Sequence, residues 1–133
     1  MTLKFNDSLT ETIETAVKQG VGEATEIVRD EVFRLVLETP KTGRLYDHPN
    51  GGVHQASAPG ESFANMTGNA LSKTVTFQED NGMTGVVAGD FDYALELEMG
   101  TSRVAERPTF RPALNNSTDE IVDAIENSIR AVL

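Results

Sequence analysis

The residues of this chain that could do chemistry are two histidines, a serine and a few closely spaced carboxylates. His48 and His54 lie in a Gly-rich stretch with Asp47 and Glu61 nearby, a set able in principle to hold a metal ion through imidazole and carboxylate. Two histidines in such a stretch more often carry no ionic role. Ser57, His54 and Asp47 make a nucleophile, base and acid on paper, yet the surroundings of Ser57, QASAPG, are no nucleophile elbow. Glu96 and Glu98 would share one face of a strand. With no apolar wall to shift a carboxyl, they read as a solvated or pore-facing acidic face rather than an acid–base pair. Gly51-Gly52 and the Gly82/Gly85 pair lack the glycine pattern of a phosphate-binding loop. The sequence therefore assigns no catalytic, metal or cofactor site, and no enzyme is expected.

The most specific stretch runs from Tyr93 to Leu114, YALELEMGTSRVAERPTFRPAL. Arg103, Arg107 and Arg111 recur in it at four-residue spacing, among prolines that fix φ. Pro108 and Pro112 disfavour one regular helix through all three, so the spacing is not a helical face. The planar guanidinium suits bidentate pairing with carboxylates across an interface; the plain alternative is three surface arginines. Phe110, between the prolines, reads as a core or interface anchor.

The totals narrow the setting. The 133 residues suit one domain, residues 1–133, with a modest core, since hydrophobic residues are 38% and Trp is absent. Oligomerisation could supply the missing burial. A formal net charge of -10 argues against a general nucleic-acid binder, while suiting a surface past which DNA slides without adhering. The absence of cysteine removes disulfides, thiolate catalysis and Cys-based zinc sites. There is no signal-peptide pattern and no apolar run long enough to span a membrane, so synthesis in a cytoplasm is expected.

The elements that must position these residues follow from periodicity. Leu3 and Phe5 suggest a short extended lead-in. A long helix over 7–39 is expected, started by a Ser8/Glu11 capping box and stopped by Pro40. Its stripe is Leu9, Ile13, Val17, Val21, Ala24, Val28, Val32 and Leu35, flanked by Ile27 and Val36, with Phe33 widening it. Gly20 and Gly22 weaken its middle and suggest a bend or a close neighbour. Residues 40–66 form an extended loop with short anchors, Leu45-Tyr46 and Val53, beside His54 and Gln55. Residues 67–99 hold a short helix and a β-hairpin. In it Val75 and Phe77 line the buried face, Asn81-Gly82 turns the chain, and Gly85 marks a bulge. Leu95, Leu97 and Met99 alternate as in a strand. Residues 100–116 are the Gly/Arg/Pro segment, where Pro112 opens a short helical turn. Residues 117–133 are a helix capped by Ser117 and Glu120. The class is α+β: a long N-terminal helix, a small antiparallel sheet and a C-terminal helix, with a long loop after the first helix. Acidic residues 67–102 and the arginines of 103–133 make self-complementary patches, as a heterologous ring contact needs.

The block from Tyr93 to Leu114 resembles the signature of the HK97 gp10-like family of tail-completion, or head–tail joining, proteins of tailed bacteriophages. The matching residues are Tyr93-Ala94, Met99-Gly100-Thr101, Arg103, Arg107-Pro108 and Arg111-Pro112-Ala113-Leu114. The stretches HQASAPGE, from His54, and TGNALSKTV, from Thr67, are similar to two further family stretches, and the order of elements agrees. Met99 stands where Phe is more usual, and the aromatic of the Arg-Pro-Phe pattern is displaced to Phe110. The resemblance implies a short helix over 92–99, in place of the strand that alternation favours. It also implies a structural component of the virion neck at the head–tail junction, made in the host bacterial cytoplasm. Such a protein forms a sixfold or twelvefold ring of its own copies, meets other neck, connector or tail-tube proteins, and lets DNA pass without specific binding. The expected assembly residues are Tyr93, Met99, Thr101, Arg103, Arg107, Pro108, Phe110, Arg111 and Pro112. Leu45, Tyr46, Val53, His54 and Gln55 are the expected loop contacts, reaching a neighbour or gating the channel. The competing reading is an acidic helical adaptor or inhibitor-type module for a basic protein partner.

Overall fold

The computed structural model describes residues 7–49, 51–65 and 68–133. The lead-in at Leu3 and Phe5 lies outside the described residues. The fold is α+β, in the order α1 (Asp7–Glu38), β1 (Leu45–Asp47), β2 (Val53–Gln55), α2 (Asn69–Ser72), β3 (Thr74–Glu79), β4 (Thr84–Gly89), α3 (Ala94–Met99), α4 (Phe110–Asn116) and α5 (Thr118–Arg130).

α1 is the spine. Its 32 residues span about 48 Å at 1.5 Å per residue. Asp7 is already helical, so Ser8 sits within the helix rather than capping it, and the Ser8 carbonyl accepts the Thr12 hydroxyl. The buried stripe is Ala16, Gly20, Val21, Ala24, Thr25, Val28, Val32 and Val36. The expected stripe holds through the middle of the helix, but Leu9 is exposed and Val36 is more deeply buried than Leu35. Phe33 does widen the face: it packs against both buried clusters, and the Arg29 guanidinium lies 4.5 Å above its ring.

α5 runs antiparallel along α1. Ile121 packs beside Val28 and Val32, while Ile125 and Ser128 lie over Gly20. A Cβ on Gly20 would fall 2.8 Å from the Ile125 Cα, so this glycine marks a close helix crossing. The core beside this pair is thin. Val28, Val32 and Ala113 form one cluster, and Val36, Phe63, Ala70 and Leu71 another, with Phe110 touching both.

β3 and β4 pair antiparallel with unbroken register from Thr74↔Gly89 to Glu79↔Thr84, so Gly85 is no bulge. Gly85 instead faces α1, where a Cβ would run into the Thr25 hydroxyl. The faces of β3 are the reverse of those expected. Val75 and Phe77 are 39% and 44% exposed, and the polar residues turn toward α1. There Thr76 Oγ1 donates to Glu26 at 3.0 Å, and Gln78 Nε2 donates to the carbonyls of Lys18 and Gly82. Period-2 alternation separates two faces without saying which one packs. Here the neighbouring stretch of α1 offers acceptors, and the polar face takes them.

The long loop carries structure of its own. β1 and β2 pair antiparallel, Leu45 with Gln55, Tyr46 with His54 and Asp47 with Val53, as a second two-stranded sheet. Residues 94–99 are helical, as the resemblance implies and against the alternation. α4 starts at Phe110, two residues before the expected start at Pro112. Ser117 does stand at the N-cap of α5, but its side chain makes no capping bond; it is a buried joint between α4 and α5. Among the described residues no helix is long and apolar enough to cross a membrane.

Candidate functional site

The segment after the sheet folds back on itself. α3 ends at Gly100, whose N–H donates to the Glu96 carbonyl. Thr101 and Val104 close a turn: the Thr101 N–H reaches the Val104 carbonyl at 2.7 Å, and Thr101 Oγ1 accepts the N–H groups of Arg103 and Val104. The returning chain is pinned where the Arg107 N–H meets the Leu97 carbonyl at 2.6 Å. This reversal brings the start of α4 against the last turn of α3, and so against Glu98.

Glu98 is 9% exposed. Its Oε2 accepts the N–H groups of Thr109 at 2.7 Å and Phe110 at 3.1 Å, and its Oε1 accepts that of Arg111 at 2.7 Å. Pro112 has no N–H to satisfy, and the Ala113 N–H makes the first helical bond, to Thr109. The orphan donors at the start of α4 are thereby accounted for by one side chain. A carboxylate there also complements the helix dipole. The expectation of a solvated or pore-facing Glu96/Glu98 face fails for Glu98, because residues 94–99 are helical and their last turn packs against α4.

The three arginines divide. Arg111 finds its carboxylates within its own chain: Nε lies 3.3 Å from Glu98 Oε1, and Nη2 donates to the Glu98 carbonyl at 2.7 Å and to Glu106 at 3.4 Å. Arg107 ties the long loop to this block. Its Nε donates to Ser57 Oγ at 3.1 Å, Nη2 to the Ser57 carbonyl and Nη1 to the Ala105 carbonyl. Arg103 is exposed, and among the described residues its guanidinium joins no ion pair. Phe110 lies between Phe63 and the α1 cluster, so it anchors the core. Pro108 is half-buried and Pro112 lies in the first turn of α4. Tyr93 stacks obliquely on Phe91 at 4.8 Å and remains exposed, as does Met99. Leu95 and Met99, one helical turn apart on α3, are 74% and 55% exposed and form an outward apolar pair.

In the loop, Leu45, Tyr46 and Val53 are 60%, 47% and 65% exposed, and the Arg44 guanidinium lies 5.1 Å above the Tyr46 ring. His54 and Gln55 are half-buried, and the Gln55 amide donates to the Gly43 carbonyl. The base of the hairpin is clamped. Glu61 accepts the backbone N–H of Thr42 at 3.0 Å and of Ala58 at 2.9 Å, together with the Thr42 hydroxyl. These bonds, the hydroxyl first, hold its carboxyl below the usual carboxylate range. Lys41 closes the end of α1, donating to the Leu35 and Thr39 carbonyls and to Ser62 Oγ. Burial pushes its ammonium below the ordinary lysine value.

The paper chemistry of the loop meets other partners. Ser57 is buried, and its hydroxyl accepts from Arg107. The His48 and His54 rings stand edge to face at 6.4 Å, and among the described residues no three metal-ligating side chains gather. An apolar groove of about 550 Å³ opens between α1, β4 and the α4–α5 pair. Compared with family models, with curated proteins and with solved structures, the chain finds no match.

Sequence reasoning missed the role of Glu98, the tie from Arg107 to Ser57 and the Glu61 clamp. Only the first left a trace: two prolines around a helix start announce donors that need an outside acceptor, without naming it.

Proposed function

We propose that this chain is a structural component of the neck of a tailed-phage virion. It forms a ring of its own copies that completes the tail or joins it to the head, and it is made in the bacterial cytoplasm. The observation that carries this reading is the construction of the block at 93–114. Glu98, Arg107 and Arg111 spend their hydrogen bonds inside the chain and hold the block in one shape. Tyr93, Leu95 and Met99 remain outward, beside the exposed Arg103, whose guanidinium joins no ion pair among the described residues. A braced scaffold with an apolar outer face and a polar rim suits protein contact. The resemblance of the same block to the HK97 gp10-like signature supplies the location. The net charge of -10 favours a channel past which DNA slides.

Electron microscopy of particles carrying the tagged chain tests the location. The reading expects a closed ring at the head–tail junction, with 93–104 against a neighbouring subunit. Density for the chain anywhere else in the particle overturns it.

A further inference from the structure

The strand β4 has an open edge. Its sheet has two strands, so β4 is paired on one side, with β3. The Asp90 N–H donates to the Lys73 carbonyl at 2.7 Å just past the ladder, and the register runs unbroken from Thr74↔Gly89 to Glu79↔Thr84. Antiparallel pairs alternate between those that exchange hydrogen bonds and those whose backbone groups point away. Counted from Lys73 and Asp90, the β4 residues whose N–H and C=O point away from β3 are Gly85, Val87 and Gly89. Among the described residues these groups have no backbone partner on the far side. Free edges are usually blunted by a Lys, a Pro or a bulge, or else covered. Thr84–Gly89 carries no charge, no proline and no bulge.

This edge is one wall of the groove of about 550 Å³. Met83 and the next four residues, 84–87, all line it. Side chains alternate between the faces of a strand, so five residues in a row border a groove only along the edge. Val21 and Val28 of α1 lie on its floor, and Ile121 and Ile125 of α5 form the facing wall. The groove thus offers unpaired backbone donors and acceptors on one side and apolar side chains on the others. Its one charged lining residue is Arg111, whose side chain is 51% exposed. Glu98 and Glu106 occupy the Arg111 Nε and Nη2, while Nη1 makes no hydrogen bond among the described residues. The adjoining Phe110 packs with Val28 and Val87, so Arg111 stands toward the Gly89 end of the edge.

We infer that the β4 edge takes an extended segment of a partner protein as a third strand. Backbone bonds to Gly85 and Val87 hold the segment, and its alternate apolar side chains fill the groove between β4 and α5. A carboxylate on the segment meets Arg111 Nη1, the one charge that the lining presents. The site is separate from the block at 93–104, so it stands or falls independently of the neck reading.

A tethered strand tests this on the full chain. The peptide TVTFQE, the sequence of β3, already matches the β4 backbone and has apolar residues at alternate positions and a terminal carboxylate. It is fused after Leu133 through a Gly/Ser linker of about ten residues, whose r.m.s. span is about 17 Å. Ile125 in the groove wall lies about two helical turns before that terminus. Hydrogen exchange at the Gly85 and Val87 amides is expected to slow by about tenfold, as an effective concentration about ten times the dissociation constant gives. The Val86 amide, which faces β3, is expected to keep its rate. A tether ending in TVTFQQ is expected to protect less, and equal protection overturns the role of Arg111. Unchanged exchange at Gly85 and Val87 overturns the inference. So does equal protection by PVPFQE, which keeps the apolar side chains but lacks two N–H groups, because apolar burial alone would then account for it. Protection of the same two amides in the untethered chain, rising with its concentration, would put a second copy on the edge and overturn the choice of partner.

Discussion

Glu98 Oε1 accepts the backbone N–H of Arg111 at 2.7 Å, thirteen residues further along the chain. With the bonds to Thr109 and Phe110, it turns a reversal rich in Gly, Arg and Pro into a fixed corner. Replacing Glu98 by Ala leaves three backbone donors without their acceptor in a buried setting. Hydrogen bonds to a charged group contribute about 1.5–3 kcal/mol each, partly offset when water enters. Glu98→Ala is expected to lower stability by about 3 kcal/mol in urea unfolding, and Glu98→Gln by less, since the amide keeps one acceptor oxygen. Unfolding midpoints equal to wild type would show that α4 holds its start without the carboxylate.

Arg103 and Arg107 are predicted to separate on substitution, although both lie in the same Gly/Arg/Pro segment. Arg107 is half-buried and bridges to Ser57, so Arg107→Glu frees the loop while the helices remain. Limited proteolysis between residues 42 and 60 should speed up with little change in helical circular dichroism. Arg103 is exposed and its guanidinium joins no ion pair among the described residues. Arg103→Glu should leave unfolding within about 0.5 kcal/mol of wild type, as surface changes do, and reduce self-association in sedimentation. Equal proteolysis of the two variants would refute the division.

What the sequence made legible was set by local physics. Helical periodicity gave α1 to within one residue at Glu38, and the Asn81-Gly82 pair placed the turn between β3 and β4. What it did not show depended on distant partners. Nothing near Ser57 announces Arg107, fifty residues away, and nothing in TVTFQE says that Thr76 would meet Glu26 across the same separation. The alternation of Leu95, Leu97 and Met99 misled because six residues fit either period. The helix was decided by the corner it had to make, with Leu97 facing the core and Glu98 facing α4.

Gly20 sets helix propensity against packing. On an isolated helix Gly20→Ala would gain up to about 1 kcal/mol. In this chain the new methyl would fall 2.8 Å from the Ile125 Cα, which is backbone and cannot rotate away. Overpacking of this kind costs about 1–3 kcal/mol, so a net loss of about 1 kcal/mol is expected by chemical denaturation. Gly22, which faces the flexible Gln78 side chain, should tolerate Ala better. A stabilised Gly20→Ala variant would mean that α5 can move off α1 without loss.

Glu61 makes the hairpin root sensitive to acid. Its carboxyl is held below the ordinary glutamate value of 4.5 by the Thr42 hydroxyl first, then by the N–H groups of Ala58 and Thr42. A carboxyl with a depressed folded-state pKa contributes stability above its unfolded value. That contribution is lost as pH falls from about 4.5 through the depressed folded value. The Thr42 and Ala58 amides should therefore lose hydrogen-exchange protection below pH 4.5, once intrinsic exchange rates are divided out, while amides in the middle of α1 keep theirs. Glu61→Gln removes the titrating group and should give a pH-independent, weaker clamp at the same two amides. Glu31 provides the internal comparison. Its carboxyl is lowered chiefly by Arg34 on the surface of α1, far from the hairpin, so its protonation should not change exchange at Thr42. Protection at Thr42 that persists to low pH, or an identical acid response in Glu61→Gln, would place the clamp elsewhere in the loop.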